Sequence, residues 1–358
     1  MNLKKALTLA VAGMIAFSAA TGTQAATRDE LAAIKVSKGG NFRYWTKNSA
    51  ALKELRTYVK DVTNKGSKNF IPVEDRIAVF DMDGTLLCET APFYFDWMFY
   101  EYRINDPYSH ANVEDRNKVK AFRKALSENN VTDEMDAEKN RTLAKSLSGM
   151  TQEEFKSYVQ NYMRSTYVEG LSNLKTGESF YMPMVEVVSY LNANDFTVYI
   201  VSGCERGIIR ALVDGVMDIE PNHIIGSDYS YKASRQGDER ADSYLFTKND
   251  ELQRGDKIID INLNSNKVFA IAREIGKQPV LAFGNSMGDS SMFNYTITNN
   301  KYRSAAFVLL CDDNVREFGN LDKAYGMKQT AKEQGWIAVS MKNDFKTIYG
   351  NNVKRTDK

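Results

Sequence analysis

A chain of 358 residues with 47 Lys and Arg against 46 Asp and Glu has a formal charge of +1, and with no basic stripe along it this argues against a nucleic-acid partner. At 43% hydrophobic and 26% charged residues the composition is that of an ordinary soluble globular protein, with no internal repeat and no low-complexity tract. The length exceeds what one compact core usually holds, so one large domain carrying an insertion, or two domains, is expected.

The first 26 residues differ from the rest. Lys4 and Lys5 form a charged start, ALTLAVAGMIAF is a short apolar core, and TGTQAA supplies small residues for cleavage near Ala25 or Ala26. This is the pattern of a secretory signal peptide, too short for a comfortable membrane span, with an uncleaved anchor as the alternative. No Cys lies near the cleavage site, which argues against a lipoprotein. The mature protein, with 45 basic and 46 acidic residues once Lys4 and Lys5 are removed, is expected in a periplasm or secreted, without a stable membrane span. The three cysteines, Cys88, Cys204 and Cys311, are no disulfide framework. Each adjoins an apolar run and reads as a small buried hydrophobe, with a Cys88–Cys204 bridge as the alternative.

Residues 27–70 form a helical extension, in which NSAALKELRTYVKDV puts Leu52, Leu55, Val59 and Val62 on one face behind Asn48 or Ser49 as N-cap. RIAVF (76–80) is a short buried strand. Residues 91–180 are charged, Gly-poor and helical in pattern, and carry the aromatic run PFYFDWMFYEYR. MVEVVSYLNAND then reads as a helix, FTVYIVSG as a strand and GIIRALVDGV as a helix. HIIGSDYSY through KIIDIN reads as strands or a ribbon, KVFAIAREIG as a helix, QPVLAFG as a strand, and SAAFVLLCDD as the last strand. Strands alternating with helices give a doubly wound α/β core of residues 71–90 and 181–345, with 91–180 as a helical insertion after its first strand and 346–358 as a tail.

In such a sheet ligands bind outside the carboxyl ends of the strands, and Asp81 and Asp83 of VFDMDGT stand at that end of the first strand. A calcium loop beginning DMDG would need Glu at its twelfth position, which is Pro92. A metal–nucleotide DxD site would not need Thr85, and an N-cap role accounts for only one of the two carboxylates. GNSMG also matches the nucleophile elbow of esterases at Ser286, but the His that a triad requires downstream is missing, since His110 and His223 both precede it.

Three further stretches follow in order: Ser202-Gly203 ending VYIVSG, Lys267 in NSNKVFAI, and Asn285 with Asp289 in LAFGNSMGD. Together with DMDGT they resemble the haloacid dehalogenase-like hydrolase superfamily over residues 74–345, in particular its phosphoserine-phosphatase-like branch with a helical cap. The resemblance implies a Rossmann-like parallel sheet and hydrolysis of phosphomonoesters through an aspartyl-phosphate. Asp81 would be the nucleophile, and Asp83 the acid that protonates the leaving oxygen and then deprotonates water. Ser202, Gly203, Lys267 and Thr85 would hold the phosphoryl group. Mg²⁺ would be bound by Asp81, by Asp83 through its main-chain carbonyl, and by Asn285 and Asp289, one directly and one through water. Many relatives carry Asp where this chain has Asn285, which leaves open which of the two touches the metal.

The cap should set substrate choice, for a small phosphorylated metabolite. Phe93, Tyr94, Phe95, Trp97, Phe99, Tyr100 and Tyr102 are either the cap's own core or a cage for a quaternary ammonium such as phosphocholine. Glu89 either contacts a substrate amine or is an acid at a helix start. Asp312 and Asp313 follow the last core strand and read as structural. A phosphotransferase or mutase on the same fold, and a weakly catalytic phospho-ligand binding protein, are the rival readings. A dehalogenase would not need Asp83.

Overall fold

The computed structural model describes residues 25–89 and 94–356. Residues 1–24, most of the expected signal peptide, and Phe93 of the aromatic run lie outside the described residues. Two helices, α1 (Arg28–Ala32) and α2 (Ala50–Thr63), precede the sheet. Of the two N-cap candidates Ser49 caps α2, its hydroxyl accepting from the Leu52 amide at 3.0 Å. Leu55, Val59 and Val62 recur at helical spacing and are fully buried against the sheet.

The sheet begins with β1 (Ile77–Phe80), whose four residues are all buried. Four helices then intervene: α3 (Phe95–Asn105), α4 (Val113–Ser127), α5 (Asp133–Leu147) and α6 (Gln152–Ser165). Asn112, Thr132 and Thr151 cap the last three through side-chain oxygens, so each start is written locally in the sequence. The chain returns through α7 (Met182–Ala193), β2 (Thr197–Glu205), α8 (Arg206–Val213), β3 (Ile224–Ala233), β4 (Leu252–Asp260), α9 (Ser265–Ala270), β5 (Leu281–Gly284), α10 (Ser290–Ile297), β6 (Ala305–Leu310), α11 (Leu321–Gln334), β7 (Ile337–Ser340) and α12 (Met341–Asp344).

The sheet has seven strands in the order β4-β3-β2-β1-β5-β6-β7. All neighbours are parallel except β3 and β4, which form the antiparallel ribbon expected from HIIGSDYSY through KIIDIN. From β1 the strand order runs outward in both directions, so the topological switch point lies between β1 and β5, where the carboxyl ends open a crevice. The last strand is β7 and not β6. Its four residues IAVS are mostly only half-buried, too short and too mixed for a clear apolar run. The segment after 345 belongs to the core as well, since Ile348 and Tyr349 are buried in it.

One apolar core runs from α2 across one sheet face, where Phe80, Phe283 and Phe307 stack at 4.3 and 4.9 Å, into the intervening helices at Phe99 and Tyr162. A second lies on the other face, around Val79, Val201, Phe293 and Trp336. The four-helix insertion is also stitched to the ribbon. Arg254 of β4 donates its main-chain N–H to the Met150 carbonyl at 2.8 Å and accepts from the Gly149 amide at 2.9 Å. Its guanidinium lies 4.0 Å from the ring centre of Phe155 in α6 and 5.2 Å from that of Tyr229 in β3.

Candidate active site

β1 runs directly into the loop that carries Asp81 and Asp83. The Asp81 amide donates to the Phe283 carbonyl at 2.9 Å, which continues the β1–β5 pairing one residue further and fixes where its carboxylate starts. The loop then folds back, with the Leu86 and Leu87 amides on the Met82 carbonyl at 2.8 and 3.0 Å and the Gly84 amide on the Leu87 carbonyl at 2.7 Å. Gly84 has φ +72°, and a Cβ there would overlap the side chains of Asn285 and Glu89, so glycine is required on both counts. Thr85 is fully buried beneath the loop, its hydroxyl has no partner, and it does not border the cavity.

At the end of β2 Ser202 is buried, and the next glycine, Gly203, leaves room for Leu263. Asn262 Nδ2 donates to the Ser202 carbonyl at 3.0 Å, and Ser227 Oγ donates to the Gly203 carbonyl at 2.6 Å. Asn264, at φ +52°, turns the chain into α9. That helix is shorter than the run KVFAIAREIG suggests, because a π-helical turn (Ile271–Ile275) replaces its end. Lys267 in α9 is 2% exposed, and its Nζ lies 2.7 Å from Asp81 Oδ1 and 2.6 Å from Asp289 Oδ1.

Asn285 and Asp289 follow β5. The side chain of Asp289 does not cap α10. It turns back, with Oδ2 accepting from the Asn285 and Ser286 amides at 3.0 and 3.1 Å and Oδ1 facing Lys267. Asn285 Nδ2 donates to Glu89 Oε2. Glu89 Oε1 accepts from Tyr94 Oη at 2.7 Å and from Lys323 Nζ at 3.1 Å. Glu89 is thus held among protein groups on both oxygens.

The electrostatics divide the carboxylates. Burial raises the pKa of Asp81 to about 7, with the Asp289 charge adding to the rise and Lys267 opposing it. Burial raises Asp83 well above the ordinary carboxylate range, and the charges of Asp81, Asp96 and Glu89 push it further. Burial works against the charge of Lys267, but Asp289 and Asp81 outweigh it and raise its pKa. Asp83 Oδ1 is buried without a partner.

A single cavity is bordered by Asp81, Asp83, Glu89, Ser202, Gly203, Lys267, Asn285 and Asp289, so these sequence candidates come together and Thr85 alone among them stays off the wall. Residues that the sequence reading did not single out complete it: Asp96 from α3, Asp136, Lys139 and Asn140 from α5, Glu205 from β2 and Tyr229 from β3. Glu205 was findable, because it ends an apolar strand as Asp81 does. The α5 residues were not, since nothing in a charged helix marks which face meets a distant strand end.

The aromatic run divides. Tyr94 and Trp97 border the cavity, in edge-to-face contact at 4.5 Å. Phe95, Phe99 and Tyr100 are buried within the insertion, and Tyr102 lines a separate pocket. Cys204 is a buried thiol and forms no bridge to Cys88, which is buried with its sulfur 3.7 Å from Glu317 Oε2. His223 packs on Tyr199, and neither histidine borders the cavity. Asp313 is structural, its carboxylate holding the Val315 and Arg316 amides and the Arg316 guanidinium; Asp312 holds Ser340 and Lys342. No helix among the described residues is long and apolar enough to cross a membrane.

Comparison with known folds agrees with this topology. A protein of unknown function from Bordetella pertussis Tohama I is similar in structure with a TM-score of 0.50 at 14% identity, over 74% of this chain and 97% of that one. A conserved, functionally unknown protein from Anaerococcus prevotii DSM 20548 is similar with a TM-score of 0.51 at 14% identity, over 89% of this chain and 98% of that one. At such identity the likeness concerns the fold. A search of curated proteins finds no match. The model of the haloacid dehalogenase-like hydrolases matches residues 78–294, from β1 through the loop carrying Asp289 into α10. With the majority of its length so matched and all four stretches gathered at one switch point, the chain belongs to the haloacid dehalogenase-like hydrolase family.

Proposed function

We propose that this hydrolase is an exported, Mg²⁺-dependent phosphatase that cleaves small phosphomonoesters through an aspartyl-phosphate on Asp81. One observation carries the reading. Two carboxylates on one strand-end loop stand in different surroundings, Asp81 with an oxygen 2.7 Å from the Lys267 ammonium and Asp83 with a buried oxygen that has no partner. That is the division between a nucleophile and a proton donor.

An Asp81 oxygen attacks phosphorus, and the bond to the leaving oxygen breaks with its electron pair on that oxygen. Asp83 delivers its proton there. Water then attacks the phosphorus of the aspartyl-phosphate, Asp83 takes the water proton, and the bond to Asp81 breaks to release phosphate. Ser202, the Gly203 amide and Lys267 would hold the phosphoryl oxygens.

The donor set suits a hard cation. No group of three or more His, Cys, Asp or Glu side chains is arranged for a metal among the described residues, but Mg²⁺ needs few carboxylates and keeps waters. Both oxygens of Asp289 are engaged by protein donors, whereas Asn285 commits its NH₂ end to Glu89 and leaves its carbonyl oxygen for a ligand. Asp81, the Asp83 carbonyl and Asn285 would therefore hold the ion, with Asp289 behind them. Bound there, Mg²⁺ would offset negative charge on the phosphoryl group.

The leaving group is a small alcohol. Of the cage expected for a quaternary ammonium such as phosphocholine only the Tyr94–Trp97 pair borders the cavity, the rest of the aromatic run being turned elsewhere. The apolar leader supports export, and an N-terminus at residue 26 or 27 on protein recovered from a periplasmic fraction is the expected outcome. Recovery from the cytoplasm with an intact leader would refute it.

The mechanism is tested by hydrolysis of p-nitrophenyl phosphate with Mg²⁺, with EDTA, and by Asp81→Asn. Release that needs the metal and falls roughly 10⁴-fold in the variant is expected. Release indifferent to the substitution would sink the mechanism.

A further inference from the structure

Beyond Asp83 the cavity wall includes Tyr94, Asp96, Trp97, Asp136, Lys139 and Glu205, and the charged groups among them differ in one respect. Asp96 and Asp136 are engaged by Lys139 at 2.6 and 3.1 Å. Glu205 is 6% exposed. Its Oε1 accepts from Arg254 Nη1, and its Oε2 has no partner.

Arg254 reaches Glu205 through Nη1 alone, and its Nε and Nη2 are themselves buried without a partner. Its main chain is tied to Met150, and its guanidinium is held between the rings of Phe155 and Tyr229. The position of Glu205 is equally fixed. In a regular strand Ser202 and Glu205, three residues apart, would face opposite sides. The register of β2 against β3 shifts between Val201 and Glu205, and both residues border the cavity. Three residues of strand span at most about 10 Å, and less across the shift, which still leaves room for a phosphoryl group and a leaving group of a few heavy atoms. Asp83, Asp96 and Glu205 border the same cavity, so the proton donor and this unpartnered acceptor share one wall.

We propose that Glu205 is a specificity-determining residue whose Oε2 accepts a hydrogen bond from the leaving group, so that the site selects phosphomonoesters of small alcohols carrying an N–H or O–H donor. The proposal rests on the phosphatase reading and narrows its substrate class. Without such a donor, a buried carboxylate oxygen stays unpaired when the substrate seals the cavity.

The test is kcat/KM, for the wild type and Glu205→Gln, on two sets of substrates. The first is 2-aminoethyl phosphate, its N,N-dimethyl form and phosphocholine, which keep a positive charge while the N–H donors fall to one and then to none. The second is 2-hydroxyethyl against 2-methoxyethyl phosphate. The wild type is expected to drop about tenfold to hundredfold at the last methylation, at the loss of the hydroxyl, or at both, and the arm that drops identifies the donor. In the variant the amide oxygen stays with Arg254 and the NH₂ group takes the place of Oε2, so the preference should vanish or invert. Wild-type ratios near one in both arms, or ratios unchanged by the substitution, overturn the proposal. A decline spread evenly over every added methyl also overturns it if the methoxy arm is flat, since size alone then decides. If the variant does not fold, the wild-type ratios decide alone. Hydrolysis of p-nitrophenyl phosphate separates the two readings: no turnover of any monoester fails the phosphatase reading and this proposal with it, whereas equal turnover of all five substrates fails only the role of Glu205.

Discussion

On the sheet side of the cavity four charged groups stand at or near a strand end or a helix start: Asp81 after β1, Glu205 closing β2, Lys267 in the first turn of α9 and Asp289 after β5. On the side of the inserted helices Asp96, Asp136 and Lys139 come from the faces of α3 and α5 and are aligned by their own ion pairs. The first set is placed by backbone hydrogen bonding, which leaves side chains few alternatives. The second depends on how two helices pack. The sheet side is therefore built to hold a fixed reaction geometry, and the helical side to vary what is admitted.

Substitutions separate the two. Lys267→Met should do the most damage, because it leaves Asp81 and Asp289 buried beside each other without their shared cation. Removing one partner from buried ion pairs costs about 3–5 kcal/mol, so a fall of that order in unfolding free energy by urea titration is expected along with loss of turnover. A folded variant with activity near wild type would break the comparison.

Arg254→Ala probes the stitch between insertion and ribbon. It strands Glu205 and removes the cation from between Phe155 and Tyr229. A loss of about 3 kcal/mol is expected by the same titration, together with a higher KM because the insertion loses its anchor. A stability loss with KM unmoved would show that the stitch serves the fold alone.

Trp97→Ala acts on the helical wall only and should raise KM severalfold with kcat little changed. A collapse of kcat with KM constant would move Trp97 into the reaction geometry and blur the distinction.

Glu186 in α7 offers a control outside the cavity. Burial raises its pKa to about 7, against hydrogen bonds from the Arg43 and Tyr44 amides. Its folded pKa exceeds its ordinary value of 4.5, so its contribution to stability is complete below pH 4.5 and is lost as pH rises through about 7. Melting temperatures should therefore fall less between pH 5 and pH 8 in Glu186→Gln than in the wild type, a small difference that two parallel slopes would contradict.

The readings that succeeded used local signals. Four apolar residues ending in Asp81, the run ending in Ser202-Gly203 and LAFG before Asn285 mark strands whose ends must gather on one side of a parallel sheet. Lys267 followed from its place at a helix start. β7 escaped because a four-residue, half-buried edge strand leaves a faint apolar trace. Thr85 was grouped with the phosphate ligands by its place in the motif, but it is fully buried and does not border the cavity.

By itself, then, the sequence determined the doubly wound core and the helical insertion, which follow from period, length and turn chemistry within a few residues; the side chains at the strand ends, Glu205 excepted, came from the resemblance of four short motifs to a known family. Tertiary structure decided that Asp289 turns back to Lys267, that Asn285 commits its NH₂ group to Glu89, that only two of the aromatic run meet the cavity, and that Glu205 keeps one oxygen unpartnered. These depend on contacts between groups as far as 196 positions apart in the chain. Such contacts are set by helix packing and by a two-residue register shift between two strands, neither of which a local pattern records.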